Sequence, residues 1–134
     1  MRKVLLMEEK LVQTLKSFDY RQNRYKIDYS VAIWYSPKEI DFHLLSNRIR
    51  SSDRLVSLDN HHYVIIFDYT SAESGIQAVN NFLEHYKSTF LSEPLFYCVA
   101  NSSQFESIHI MVPELLIQLN QTIENNQMAI CDEL

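Results

Sequence analysis

The stretch SLDNHHYVIIFDY, residues 57–69, sets an Asp-Asn pair and two adjacent histidines against an apolar run. The run is rich in β-branched and aromatic residues, so residues 62–68 read as a strand. A second strand is expected over residues 54–58, and only Asp59 to His61 stand between the two. So short a separation predicts a β-hairpin, with Asp59 and Asn60 supplying left-handed backbone at its tip.

Outward from the hairpin, the apolar patterning alternates between helix and strand. Upstream, IDYSVAIWYS (27–36) is apolar enough to be a central strand, and a helix over about 38–50 follows Pro37, with Ile40, Leu44, Leu45 and Ile49 on one face and His43 beside them. Downstream, Thr70 or Ser71 caps a helix to about Ser88, with Glu73 placed for a capping box on Thr70 and Ile76, Val79, Phe82, Leu83 and Tyr86 on the apolar face. LFYCVA (95–100) is a buried strand, and SIHIMV (107–112) reads as an edge element beside it. Pro113 is expected to open the last helix, 113–125, carrying Leu115, Leu116, Leu119 and Ile123. QMAICDEL then reads as a short final strand.

Ahead of all this, residues 2–22 show a helical stripe of Val4, Leu5, Leu11, Val12, Leu15 and Phe18. The seven-residue spacing of Val4, Leu11 and Phe18 suits packing on the domain or a dimer seam. The division expected is an N-terminal helix over 1–26 and a domain over 27–134. Its order β-α-β-β-α-β, with a C-terminal α-β extension, describes an α+β, ferredoxin-like split βαβ sheet with helices mainly on one face.

Composition narrows the function. The 134 residues carry a formal charge of −5 and show no basic face, so neither nucleic acid nor a membrane is an expected partner. The start MRKVLLMEEKLV is too interrupted by charge for a signal-peptide core or a span. Cys98 and Cys131, far apart in apolar contexts, read as free buried thiols, which suggests a cytoplasmic protein. A single glycine, Gly75, excludes Walker loops and dinucleotide fingerprints, which need backbone able to approach phosphate.

The hairpin and its flanks resemble the GGDEF domain, whose active members condense two GTP molecules into cyclic di-GMP. Members read (R)xxD-I-V-A-R-Y-G-G-D-E-F-A-I-L-L through this hairpin; here the gap-free counterpart is RSSDRLVSLDNHHYVIIF, Arg50 to Phe67. Asp59, Asn60, His61, His62 and Tyr63 fill the signature positions. The family's Asp-x-Asp metal site at the end of its first strand is matched by Tyr35 and Pro37. The helix TSAESGIQAVNNFLEHY resembles the family's T-x-x-E-A-x-x-x-A-E-x-I, and the likeness extends over about residues 27–132.

Two-metal phosphoryl transfer needs carboxylates, and hard cations prefer oxygen ligands to imidazole. The resemblance therefore implies a degenerate, catalytically inactive module of bacterial signalling type, a pseudo-enzyme without metal or other cofactor. One family feature keeps its register: Arg50 and Asp53 match a regulatory RxxD site for cyclic di-GMP, where a guanidinium and a carboxylate meet the edges of guanine and phosphate. An ordinary surface ion pair accounts for the same two residues equally well. A protein partner, or a homodimer through the N-terminal helix, is the other expected interaction. The alternative is a nucleotide-binding or weakly active enzyme using the hairpin cleft.

Three further groups of residues could carry chemistry. Adjacent strand residues point to opposite faces, so His61 and His62 converge on a metal only at an irregular tip, with Asp59 as the one local third ligand; one ring packed at the sheet edge and one solvated is the simpler expectation. His43, His85 and His109 fall in separate elements without acid partners. Trp34, Tyr35, Tyr63, Phe67, Phe96 and Tyr97 should be mostly core, whereas an RNA-stacking sheet would expose them.

Overall fold

The computed structural model describes residues 2–37, 43, 49, 52–68, 71–89 and 96–125. The elements are α1 (Arg2–Tyr25), β1 (Tyr29–Tyr35), β2 (Arg54–Ser57), β3 (His62–Asp68), α2 (Ala72–Thr89), β4 (Phe96–Asn101), a 3₁₀ turn (Ser102–Gln104) and α3 (Ile108–Asn125). The strands form one antiparallel sheet in the order β2-β3-β1-β4. That is the order of a split βαβ sheet, as expected.

The helices cover both faces of the sheet rather than mainly one. Alternation along β1 and β3 sends Val31, Ile33, Val64 and Ile66 to the face packed by α1 and α3, and Ala32, Trp34, Tyr63 and Ile65 to the face packed by α2. Six of the seven β1 residues are buried, so this strand has no side that water could occupy. On the α2 face, Trp34 lies against Tyr63 at 5.6 Å between ring centroids and against Phe82 at 5.4 Å. Among the strand aromatics, Trp34, Tyr63 and Phe67 are buried and Tyr35, Phe96 and Tyr97 half-buried, as a core role requires.

α1 joins the same core through Met7, Leu11, Leu15 and Phe18. Met7 replaces Leu5 in the expected stripe: Leu5 is exposed, and the side chain of Val4 lies outside the described residues. α1 ends at Lys26, whose backbone is left-handed (φ 57) and whose N–H donates to the Gln22 carbonyl. In α2, Ser71 is the cap, its Oγ accepting from the Ser74 N–H; Val79 and Phe82 are buried. The side chains of Leu83 and Tyr86 lie outside the described residues, as do Thr70, the strand expected in QMAICDEL and the helix expected over 38–50, apart from His43, exposed, and Ile49, half-buried on the α2 face.

Two sequence expectations are corrected downstream. SIHIMV is the first part of α3, not an edge strand: Ile108, Met111, Val112, Leu115, Leu116 and Leu119 are all buried, which is a helical period running straight through Pro113. The β-branched content of the segment favoured the strand reading, and long-range packing overrode it. The helix starts where Ser107 offers its carbonyl to the N–H groups of Ile110 and Met111. Cys98, fully buried in β4, is disulfide-bonded and not a free thiol, because separation along the chain does not set separation in space. Cys131 lies outside the described residues. No helix among those described is long and apolar enough to cross a membrane.

If α1 is integral to the core, Leu15→Ala should cost about 2–5 kcal/mol through lost burial and a residual cavity. Leu6→Ala, at a position 59% exposed, should shift stability by less than about 0.5 kcal/mol. Urea unfolding midpoints with an unchanged denaturant slope would check both.

Candidate functional site

The hairpin tip, residues 58–61, meets the end of β1 at one edge of the sheet. The expected left-handed backbone at Asp59 and Asn60 is absent: among the described residues only Lys26 has positive φ. Side-chain hydrogen bonds close the turn instead. Asp59 Oδ1 accepts from the backbone N–H groups of His61 and His62, each at 2.8 Å. Ser57 Oγ donates to the Asp59 carbonyl at 2.8 Å, and the Tyr63 hydroxyl donates to the Asn60 carbonyl at 2.6 Å. An Asx turn of this kind needs no glycine, which suits a chain with one.

The two histidines have separate partners. His61 Nδ1 lies 2.9 Å from the Ser36 carbonyl, which can only accept, so the ring proton sits on Nδ1. The Ser36 N–H returns a bond of 2.8 Å to the His61 carbonyl, which extends the β1–β3 ladder one pair beyond Tyr35 and His62. His62 Nδ1 lies 2.9 and 3.1 Å from the two Asp59 oxygens. Both rings are therefore held, and neither is simply solvated. Tyr35 packs against both, its ring centroid 6.1 Å from that of His61 and 5.1 Å from that of His62.

Asp59 has a distinct electrostatic position. Its partial burial favours the neutral acid, but the His61 N–H, the side chain and charge of His62 and the His62 N–H outweigh that and bring its pKa down to about 2. The carboxylate is thus ionised at any ordinary pH and committed to the hairpin. Among the described residues no group of three His, Cys, Asp or Glu side chains could hold a metal ion. Tyr35 is half-buried and packs toward the α1/α3 core, while Pro37 is exposed.

Of the candidate ligand-binding pair, Asp53 is half-buried immediately before β2. Arg50 lies outside the described residues. Of the remaining histidines, His43 and His109 are exposed and His85 is half-buried. What the sequence reading missed is the joint arrangement of Tyr35, Ser36, His61, His62 and Asp59. The available signal was an Asp two and three residues before the two histidines, the spacing at which an Asp side chain meets backbone N–H groups.

With this geometry established, comparison with known proteins gives a consistent fold. No family model and no curated protein sequence matches the chain. Solved structures do. The FimX GGDEF domain from Pseudomonas aeruginosa superposes with a TM-score of 0.71 at 8% identity, over 94% of this chain and 93% of that one. The GGDEF domain of DgcB from Caulobacter crescentus, solved in complex with c-di-GMP, gives 0.69 at 8% identity, over 93% and 89%. The active GGEEF domain of a diguanylate cyclase from Vibrio cholerae gives 0.66 at 12% identity, over 94% and 96%. The chain has the GGDEF-domain fold.

The Asp59 pKa carries a pH signature. Because the folded value lies below the unfolded one of about 3.9, Asp59 contributes stability above pH ~4 that is lost as pH falls toward ~2. Asp59→Asn should cost about 1–2 kcal/mol at neutral pH and flatten the acid limb of the stability curve in that window, as followed by urea unfolding from pH 7 to 2.

Proposed function

We propose that the chain is a catalytically inactive GGDEF-like module for signalling or interaction, with Arg50 and Asp53 as its contact to cyclic di-GMP. The observation that carries the inactive reading is the packing of Tyr35 against both His61 and His62. These three residues stand where the resemblance expects metal-binding carboxylates, and they form one aromatic–imidazole cluster. The one carboxylate at the tip, Asp59, already accepts three N–H bonds on Oδ1. A pair of Mg²⁺ ions would have to displace those bonds and would gain imidazole where oxygen is preferred.

Binding of cyclic di-GMP is supported by register in the sequence and by the fold, which the DgcB domain presents with that ligand bound. An Arg–Asp pair can meet a guanine edge bidentately. The alternative occupant of such a module is a protein partner, or a second copy through α1, whose Leu5 and Leu6 are exposed. A cytoplasmic setting belongs to the same reading, and the disulfide at Cys98 is the observation that weighs against it.

Calorimetry with cyclic di-GMP and with GTP, each with and without Mg²⁺, tests the proposal. Cyclic di-GMP should bind without metal and lose at least about tenfold in affinity in Arg50→Ala, which removes a charge-assisted contact. Equal binding by that variant would discard the Arg50–Asp53 site. Metal-dependent turnover of GTP would discard the inactive reading.

A further inference from the structure

The α1/α3 side of the sheet holds a cavity of about 240 Å³ whose lining includes one hairpin residue, His62, and not Asp53. Its walls are apolar: Met7 from α1 and Leu116, Ile117 and Ile123 from α3. The polar residues of the lining are Glu8 on α1, Asn120 on α3 and His62 at the start of β3. His62 reaches this side because it shares a face with Val64 and Ile66, whose side chains pack under α1 and α3.

The tautomer of the His62 ring follows from its hydrogen-bond partner. The Asp59 carboxylate accepts from His62 Nδ1, and a carboxylate held ionised can only accept, so the neutral ring carries its proton on Nδ1 and keeps a lone pair on Nε2. Among the described residues the ring forms no hydrogen bond beyond those to Asp59. The side chain is 13% exposed, and in this tautomer Nε2 is an acceptor. Glu8 adds a second acceptor, with a negative charge. No lysine or arginine lines the cavity among the described residues, and Lys10, two residues beyond Glu8 on α1, is directed to the hairpin, its Nζ donating to the Ser57 carbonyl at 2.7 Å. A largely apolar chamber whose lining includes a carboxylate and an imidazole favours a donor with an apolar body, and a cation over an anion.

We propose that this cavity is a binding site for a small amphipathic cation, an amine whose apolar body packs on Leu116, Ile117 and Ile123 and whose ammonium donates to His62 Nε2 and Glu8. Asp59 is a positioning residue in this site, fixing the tautomer and orientation of the ring. The site shares His62 and Asp59 with the cluster that carries the inactive reading, but not the Arg50–Asp53 pair proposed for cyclic di-GMP, so loss of cyclic di-GMP binding in Arg50→Ala would leave amine binding unchanged.

The test is an NMR titration of the full chain, following the His62 ring signals, with 2-phenylethylamine and with phenylacetate as the anionic match of similar size. The amine should shift the His62 signals saturably and bind at least about tenfold more tightly than phenylacetate. Glu8→Gln should weaken the amine by about tenfold or more. Ile117→Lys, at a half-exposed wall position, should abolish its binding by placing a competing ammonium at the rim. Circular dichroism melts unchanged from the parent establish that both variants are folded. Equal affinity for amine and acid, no saturable shift at His62, or full binding by either folded variant would overturn the proposal.

Discussion

A slip of one residue between β1 and β3 would move Val31 and Ile33 off the face covered by α1 and α3 and bring Ala32 and Trp34 onto it, because side chains alternate along a strand. The observed pairing of Ala32 with Ile65, Ile33 with Val64 and Trp34 with Tyr63 prevents that. The same register brings Tyr35 opposite His62 and, one step further, Ser36 opposite His61. The apolar core and the polar hairpin edge are therefore two ends of one ladder. Its cost of misalignment is the exposure of several large side chains, at about 1.5–3 kcal/mol each.

Scarcity of glycine shapes the rest. Where α1 ends, Lys26 takes the left-handed conformation, at a cost of about 1–2 kcal/mol for a residue with a Cβ, and is held there by its bond to Gln22. At the hairpin, the Asp59 side chain does what glycine backbone does elsewhere, gathering two N–H groups and one imidazole. After β4, Asn101 and Gln104 form a capping box around the short 3₁₀ turn, and Asn101 also donates to the buried Ser30 hydroxyl. Side chains closing turns leave the backbone less freedom than glycine would.

Much of the fold was legible from local pattern. The hairpin, the central strand 29–35, the long helices and the ferredoxin-like order all follow from apolar periodicity and turn residues, which act over a few positions. The errors fell where distant contacts decide. Ile108 to Val112 has a composition suited to a strand, yet Met111 and Val112 become helix because they complete the surface that meets α1 and the sheet. Leu5 and Met7 sit close together on one helix, and only the position of α3 determines which is buried. The placing of helices on both faces was implicit in the unbroken apolar run of β1, but choosing which helix covers which face required the folded chain.

At the site the division is similar. By itself the sequence determined the residue types: histidines and a tyrosine where the resemblance expects carboxylates, one carboxylate at the tip, and Arg50 with Asp53 in register ahead of it. Those facts need no coordinates, since chemistry belongs to the side chain. Only the tertiary structure decided that His61 binds the Ser36 carbonyl while His62 binds Asp59 and lines a cavity between α1 and α3. Adjacent residues on a strand face opposite ways, so their surroundings come from elements distant in sequence, and hydrogen-bond partners at 2.9 Å are set by how those elements pack.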